Sequence, residues 1–541
     1  MMFNNLIEID KFFGRDKELE LLHKRVEGLK NGYRHNLAIL GKRQIGKTSL
    51  LLHFLSGIDK KGTIPIYADL SSLTFESFVD QFVGMMLYYG CANTPADDAS
   101  LQQLIDAAAA ELPKTSKKIK SLYSYVKSGK ETAAFQELCE LAPCYSEESG
   151  KFCLIAIDNF KKLSDFNIKE PFSILGEKIM LQKKCFYILC DYPDAESMKI
   201  LSEKLSLLFG KFQVINLEPF SLSDSLAFIN LKCPGVALPP CFDRFLVDFT
   251  AGEPFYLDIL SDAVSRASQE SSVPAFSEQQ SCYLVAEAIY GKFSPLNSYF
   301  SQIIAQALGV SGMKPAIKLL KAILYNNKIS AILENSCIQR QDAQKILEKL
   351  VLHNIVIKNG PLYAIEDEVF KIWIKLKDAQ ASPRFNITSR LIVDKIETAL
   401  QQEYQDFIKE MDKPVDNKIL NLINAFDNEK VTVGEKTHIL PVFKHIRSDY
   451  IDSESLLLSA HGTKMWMFSV LKKSADENDV LNFIKHCKSQ KHKISRKILI
   501  ALGGITSEAK LVAKQEGMWI WTENKLNALM NLYGKPKVSM P

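Results

Sequence analysis

Apolar residues return at helical spacing over residues 15–30, where Leu19, Leu21, Leu22, Val26 and Leu29 mark one face of an amphipathic helix. A short apolar run at 37–40 predicts a strand, followed by a glycine-containing loop and a helix over about 47–55. Further strand-like runs fall at 64–70, 152–157, 185–190 and 213–217, separated by helical stretches. Strands that alternate with helices predict a parallel α/β sheet. Residues 72–150 read as a long, mostly helical insertion before the third strand, and from about 222 to 330 the pattern is helical throughout. No internal repeat or low-complexity segment interrupts the chain.

Helical patterns at 314–326, 330–334 and 340–353 lead to two short apolar runs, 355–358 and 362–365, joined by Asn359-Gly360. Asn-Gly between apolar runs is a strong hairpin signal. Three helices closed by a hairpin is the plan of a winged helix. Residues 377–385 read as a linker and the stretch to about 428 as a helical connector. The last 110 or so residues return to mixed strands and helices.

At roughly 150 residues per domain, 541 residues suggest three or four domains. With 47% hydrophobic and 24% charged residues, disordered, collagen-like and coiled-coil classes are excluded. No apolar run approaches the ~20 residues of a membrane span, and the first ten residues lack the basic and apolar blocks of a secretory leader. The expected location is therefore the cytoplasm, with no membrane partner. Eleven cysteines, an odd number without a CxxC pair, predict buried reduced thiols rather than disulfides or zinc ligands. The net charge of +4 conceals an asymmetry. Residues 430–541 hold 18 Lys and Arg against 10 Asp and Glu, a surplus of 8, which leaves the rest of the chain slightly acidic.

The chemistry concentrates in Gly41-Lys-Arg-Gln-Ile-Gly46-Lys47-Thr48-Ser49, which matches G-x-x-x-x-G-K-[ST] between a strand and a helix. Such a loop turns its backbone N–H groups around phosphates, and the following helix N-terminus favours their negative charge. Lys47 is placed to reach the β- and γ-phosphates and Thr48 to ligate Mg²⁺. A second acidic ligand is expected at the end of an apolar strand, and Phe152-Cys-Leu-Ile-Ala-Ile-Asp158 supplies it. Where many such ATPases have a glutamate next, this chain has Asn159. An amide can hold a water but cannot take its proton. The expectation is ATP·Mg²⁺ binding with slow turnover, which Asn159→Glu should raise.

Phe13-Gly14-Arg15-Asp-Lys-Glu-Leu19, with the loop at 41–48, resembles the opening box of archaeal-type ATPases and the related signal-transduction ATPases with numerous domains (STAND). Gly252-Glu-Pro254 resembles their GxP motif, and residues 365–373, with Phe370 and Trp373, resemble their winged-helix ending. The resemblance spans about 11–376. It implies an AAA+-like domain whose adenine pocket is flanked by Phe13, Gly14 and Arg15, with Pro254 near the nucleotide. It also places Asp191, at the end of the fourth strand, at a sensor position, with a solvated loop acid as the alternative. Besides Asn159, the chain departs from the family near Gly210, where Lys211 replaces an expected arginine and offers a point charge instead of a planar fork.

The C-terminal pattern is similar to the restriction-endonuclease-like, PD-(D/E)xK, fold. Asp452 fits its first acidic position, but the E-x-K position reads Ser469-Val-Leu471 with Lys472 displaced by one residue. A one-residue slip turns a strand side chain to the opposite face, so an inactive nuclease fold is expected. Lys485, His486, Lys488, Lys491, His492, Lys493, Arg496 and Lys497 give that region a basic rim that could hold a phosphate backbone. The candidate recognition helix at 340–350 carries mixed charge and reads less as a DNA-reading face.

The expected fold is α/β: a P-loop nucleotide-binding domain (1–221), a helical lid (222–289), a winged-helix domain (290–376), a linker and helical connector (377–430) and a C-terminal mixed α/β nuclease-like domain (431–541). The expected function is an ATP-dependent switch or regulator that acts on a protein partner or a second copy of the chain. The alternatives are an active DNA-associated ATPase and a nucleotide-binding scaffold.

Overall fold

The computed structural model describes residues 12–71, 74–91, 99–205, 212–271, 275–291, 293–377, 388–411, 413–433, 436–452 and 454–538. The chain divides into two compact units, Met1–Phe228 with Gly252–Tyr256, and Ile229–Ala251 with Leu257–Pro541.

In the first unit, helix α1 (Asp16–Lys30) precedes strand β1 (Leu37–Gly41) and α2 (Lys47–Ser56), then β2 (Thr63–Asp69). Four helices follow, α3 (Phe75–Gly90), α4 (Leu101–Glu111), α5 (Pro113–Lys127) and α6 (Glu131–Ser149), which are the helical insertion anticipated before the third strand. Thr74 caps α3, and Ser100 with Gln103 forms a capping box on α4, so polar residues just ahead of apolar runs set both starts. The chain continues through β3 (Phe152–Asp158), α7 (Pro171–Leu181), β4 (Cys185–Asp191), the short α8 (Ala195–Lys199) and β5 (Gln213–Leu217). The five strands form a parallel sheet in the order β2-β3-β4-β1-β5. Every residue of β1 and β4 is buried, as expected of parallel strands covered by helices on both faces. Cys153, Cys185 and Cys190 lie in this core as free thiols.

The second unit contains most of the remaining helices: α9 (Leu222–Lys232), α10 (Phe242–Thr250), α11 (Pro254–Ser271), α12 (Glu278–Tyr290) and α13 (Pro295–Tyr325), of which α9 and α11 begin in the first unit. Helix α13 kinks at Gly309, whose φ of 73° is not helical. No uninterrupted apolar run reaches the length of a span, but by length and mean hydropathy alone the stretch Glu278–Tyr325 is long and apolar enough to cross a membrane. The stretch is divided between α12 and α13 and kinked at Gly309, and Val285, Ile289, Phe300 and Ile304 are buried in the protein, although only 33% of its apolar window is. Helices α14 (Ile329–Ser336) and α15 (Arg340–Leu352) lead to a two-stranded hairpin, β6 (Ile357–Asn359) and β7 (Leu362–Ala364), then α16 (Glu368–Leu376). Asp367 caps α16, and Phe370 and Trp373 pack against Phe300 of α13, with the Trp373 indole donating to Asn297 at 2.9 Å. The linker assigned to 377–385 lies, beyond Lys377, outside the described residues.

After α17 (Thr388–Met411) and α18 (Val415–Ile423) come the hairpin β8 (Glu429–Val433) and β9 (Lys436–Leu440), then a five-stranded sheet. Its strands β10 (Phe443–Tyr450), β11 (Ser455–Gly462) and β12 (Met465–Leu471) are antiparallel. Helix α19 (Glu477–Ser489) leads to β13 (Ile494–Ala501) and α20 (Ser507–Gln515) to β14 (Trp519–Thr522), both added in parallel, and α21 (Glu523–Leu532) closes the chain. Alternation divides the side chains between two layers. Leu456, Leu458, Trp466, Phe468, Val470 and Trp521 join the core that includes α18 and α21. Leu457, Met467, Leu471 and Leu499 join the core of α19 and α20.

Candidate functional site

Parallel pairing brings the carboxyl ends of the strands to one edge of the sheet, the usual position for a ligand crevice in open α/β folds. The loop at 41–48 emerges there from β1 and enters α2. Gly46 has φ 97°, a left-handed conformation that a side chain would strain, and a Cβ built on it has nothing within 4 Å. The Lys47 ammonium donates to the carbonyls of Gly41 (2.8 Å) and Lys42 (2.9 Å), so it lies along the inside of its own loop. Burial pulls its pKa below the ordinary lysine range, against the opposing pull of Asp158. Ser49, on the first turn of α2, is exposed.

The Thr48 hydroxyl donates to Asp158 Oδ2 at 2.5 Å, so the two expected metal ligands meet across 110 residues of sequence. Asp158 is 1% exposed, and burial raises its pKa. A hydroxyl beside a buried carboxylate, below an open glycine loop, is a donor set suited to a phosphate-bound hard cation such as Mg²⁺. The residues present thus fit ATP·Mg²⁺: the loop and Lys47 would hold phosphates, and Thr48 and Asp158 the cation.

Asn159 follows with φ 56°. Its side-chain amide donates to Asp69 Oδ1 at 2.7 Å. Asp69 ends β2 directly opposite Asp158 in the β2–β3 register. Its role could not be read from the local sequence, because only the strand pairing shows that the end of the 64–70 run faces the end of 152–158. Asp191 ends β4, so three adjacent strands finish on a carboxylate. Asp191 is not the solvated loop acid considered as one reading. It is 7% exposed, accepts from the Lys161 main-chain N–H at 2.9 Å, and lies 3.7 Å from the Lys161 ammonium, which also pairs with Asp194. Asp191 thereby fastens the 3₁₀ turn Phe160–Asp165 that follows Asn159.

The opening box lies against the same loop. Gly14 and Arg15 both have positive φ, 68° and 66°, which turns the chain into α1. The Arg15 guanidinium donates to the carbonyl of Ile45, inside the phosphate loop, at 3.2 Å and stacks 4.9 Å from the Phe220 ring. Burial lowers its pKa despite Glu18, Glu253, Asp224 and Glu218 nearby. Phe13 packs edge-on against Phe220 (5.7 Å) and Phe228 (5.3 Å). Phe220 also connects the GxP segment, since its N–H donates to Gly252 O at 2.9 Å, two residues before Pro254. Phe13, Gly14, Arg15 and the Gly252–Pro254 turn are thereby gathered around Phe220, a residue the motifs did not single out. Gly210 and Lys211 lie outside the described residues.

The side chains at the three nuclease-like positions engage other partners. Asp452 is exposed in the turn after β10, where its carboxylate accepts from the Glu454 N–H at 2.8 Å. Ser469 is 3% exposed between Leu457 and Leu499, within an apolar layer. Lys472 pairs with the buried Asp416 of α18 at 3.0 Å. On the basic rim, Lys485, His486, Lys488, Lys491, His492, Lys493 and Arg496 are exposed, whereas Lys497 pairs with Glu516 at 2.8 Å. The Arg496 guanidinium lies 4.4 Å from the Trp519 ring, on which His438 also stacks at 3.7 Å.

The sequence profile of the AAA ATPase domain matches residues 11–169, a span that includes Phe13, the phosphate loop and Asp158-Asn159. No curated protein is similar enough in sequence to count as a relative. Among solved structures, a Walker-type ATPase of Pyrococcus abyssi is 16% identical with a TM-score of 0.43, covering 69% of this chain and 100% of its own. The ORC2 protein of Aeropyrum pernix, solved with ADPNP and ADP, is 11% identical with a TM-score of 0.44, covering 74% of this chain and 98% of its own. The ORC1 protein of Aeropyrum pernix, solved in complex with DNA, is 12% identical with a TM-score of 0.39, covering 73% and 96%. The profile match and the geometry of the loop agree on an AAA-type, nucleotide-binding ATPase domain.

Proposed function

We propose that the chain is an ATP·Mg²⁺-dependent switch or regulator of the AAA+/STAND kind, with slow hydrolysis, located in the cytoplasm. Lys47 and the loop amides hold the phosphates, Thr48 and Asp158 the cation, and Phe13, Gly14, Arg15 and Pro254 border the base. The observation that carries the reading is Asn159. Thr48 and Asp158 are joined as a metal pair requires, yet the next residue, where a glutamate would deprotonate water, offers an amide that is already hydrogen-bonded to Asp69. Binding is supported more strongly than turnover.

The second unit supplies what such a switch would present to a protein partner or to a second copy of the chain. Within it, the module α13–α16 fits a winged helix, and the C-terminal sheet fits a nuclease-like fold without nuclease activity. The alternative, an ATPase that works on DNA, is favoured by one observation: the exposed basic rim beside Arg496 and Trp519. Asp191 stays a sensor candidate by position, although its contacts are those of an anchor.

Purified protein should retain or bind ATP with Mg²⁺ and turn it over well below ~1 s⁻¹, the low end of ordinary enzyme rates. Single-turnover hydrolysis, with and without DNA, tests this against Lys47→Ala. Turnover of 1 s⁻¹ or faster that Lys47→Ala abolishes would replace the switch with an active ATPase.

A further inference from the structure

We infer that the water-orienting carboxylate of this site is Asp69, so that the carboxylate expected beside Asp158 on β3 is supplied by the neighbouring strand β2. The inference rests on the reading of 41–48 as the nucleotide loop and adds a named residue to it. Four observations carry it. First, Asp69 ends β2 in register with Asp158, so its carboxylate arises at the same sheet edge as the metal pair. Second, Asn159 Nδ2 donates to Asp69 Oδ1 at 2.7 Å, which places amide and carboxylate side by side. Third, of the three carboxylates that end β2, β3 and β4, Asp158 and Asp191 are buried and bound to Thr48 and Lys161, whereas Asp69 is half-exposed. Of the three, Asp69 is therefore the most open to a water. Fourth, Asp69 is held in place: the Ser71 N–H donates to Oδ1 at 2.9 Å and the Ser71 hydroxyl to Oδ2 at 3.0 Å.

In the step proposed, a water O–H donates to Asp69 while the water oxygen bonds the γ-phosphorus. The bond from that phosphorus to the bridging oxygen breaks, ADP departs with the bridging electron pair, and the proton of the water leaves on inorganic phosphate. Each carboxylate oxygen of Asp69 already accepts a donor, which leaves it a restrained acceptor and fits slow turnover. The pair also changes what Asn159→Glu should do. With Asp69 in place, that substitution sets two carboxylates at hydrogen-bond distance, so it should fail to accelerate hydrolysis. The exchange Asp69→Asn with Asn159→Glu restores one carboxylate and one amide.

The test is single-turnover ATP hydrolysis by the full chain, beside titration of a fluorescent ATP analogue and of Mg²⁺. Asp69→Asn should slow hydrolysis by about 100-fold, the scale of losing one group that acts on the reacting water. Nucleotide affinity and Mg²⁺ requirement should stay within about threefold of wild type, the split expected for a group that acts after binding. Asp69→Glu should keep part of the rate, and the double exchange should exceed both single variants. Unchanged hydrolysis in Asp69→Asn, a raised Mg²⁺ requirement, or an exchange variant no better than the singles would overturn the assignment. So would a wild type that binds ATP without hydrolysing it. A wild type that binds no nucleotide would instead overturn the reading of the loop, and this proposal with it.

Discussion

At the scale of single residues, the balance at Asp158 decides how the site behaves with and without ligand. The carboxylate is desolvated, and its ordinary acidity is weakened by burial and by the charge of Asp69, against the Thr48 hydroxyl, the charge of Lys47 and the Asn159 N–H. A buried anion facing a second anion costs stability until a cation arrives. Asp158→Asn should therefore leave the nucleotide-free chain within about 1 kcal/mol of wild type, or slightly more stable, because it keeps the shape and removes the charge. The same variant should lose the Mg²⁺-dependent part of nucleotide stabilisation. At a ligand concentration 100 times Kd, wild type gains about 2.7 kcal/mol by linkage. Thermal denaturation with ATP, with and without Mg²⁺, checks both halves. A variant that still responds to Mg²⁺ as wild type does would place the cation elsewhere.

Among elements, α16 and the C-terminal sheet allow two further predictions. Trp373 is fully buried among Phe300 and Phe370 and spends its N–H on Asn297. Trp373→Ala should cost about 3–5 kcal/mol, the range for removing a large buried aromatic, read by denaturant unfolding of the full chain. If the basic rim around α19 and β13 binds DNA, it does so through the backbone, so log Kd should rise steeply with log salt. Arg496→Ala should reduce that slope by about 1 if the guanidinium touches a phosphate. Binding that ignores salt, or no binding at 50 mM salt, would remove DNA as a partner of this face. The elements that were legible in the sequence are those buried on both sides. The strands β1–β4 are near-continuous apolar runs, and β11–β13 likewise read as runs because helices cover both faces of their sheet, whereas the edge strand β5 is mostly unburied and was legible only through Val214, Ile215 and Leu217. The edge strand β10, FKHIRSDY, is exposed at most positions and gave no such signal, nor did the hairpin β8–β9. The loop at 41–48 and Asp158 were legible because each is a local pattern. Asp69 and Phe220 were not, because their meaning comes from strand register and from a turn over 30 residues away in sequence.

For the molecule as a whole, the switch reading makes a demand that nucleotide binding alone does not meet. A ligand moves an equilibrium only by its difference in affinity for the two states, so ATP regulates the second unit only if the chain has a state in which both units differ. The units have their own cores: one around the parallel sheet, and in the second unit one on each face of the C-terminal sheet, one of these including Leu362 and Ala364 of β7. A site confined to the first unit would slow hydrogen exchange there and nowhere else. The expectation for a switch is that ATP·Mg²⁺ alters exchange of amides in α13–α16 and the C-terminal sheet, as well as those of β1, α2 and β3. The coupling read this way should fall in the usual range of about 1–3 kcal/mol, or roughly 5- to 150-fold in protection. Lys47→Ala should abolish the change in both units together, because the distant effect has no other source. Asp69→Asn should preserve it, because binding and not hydrolysis sets the state. Protection limited to the first unit would reduce the protein to a scaffold with a residual nucleotide site. A distant change that appears only in hydrolysing protein would make it an ATPase that works by turnover.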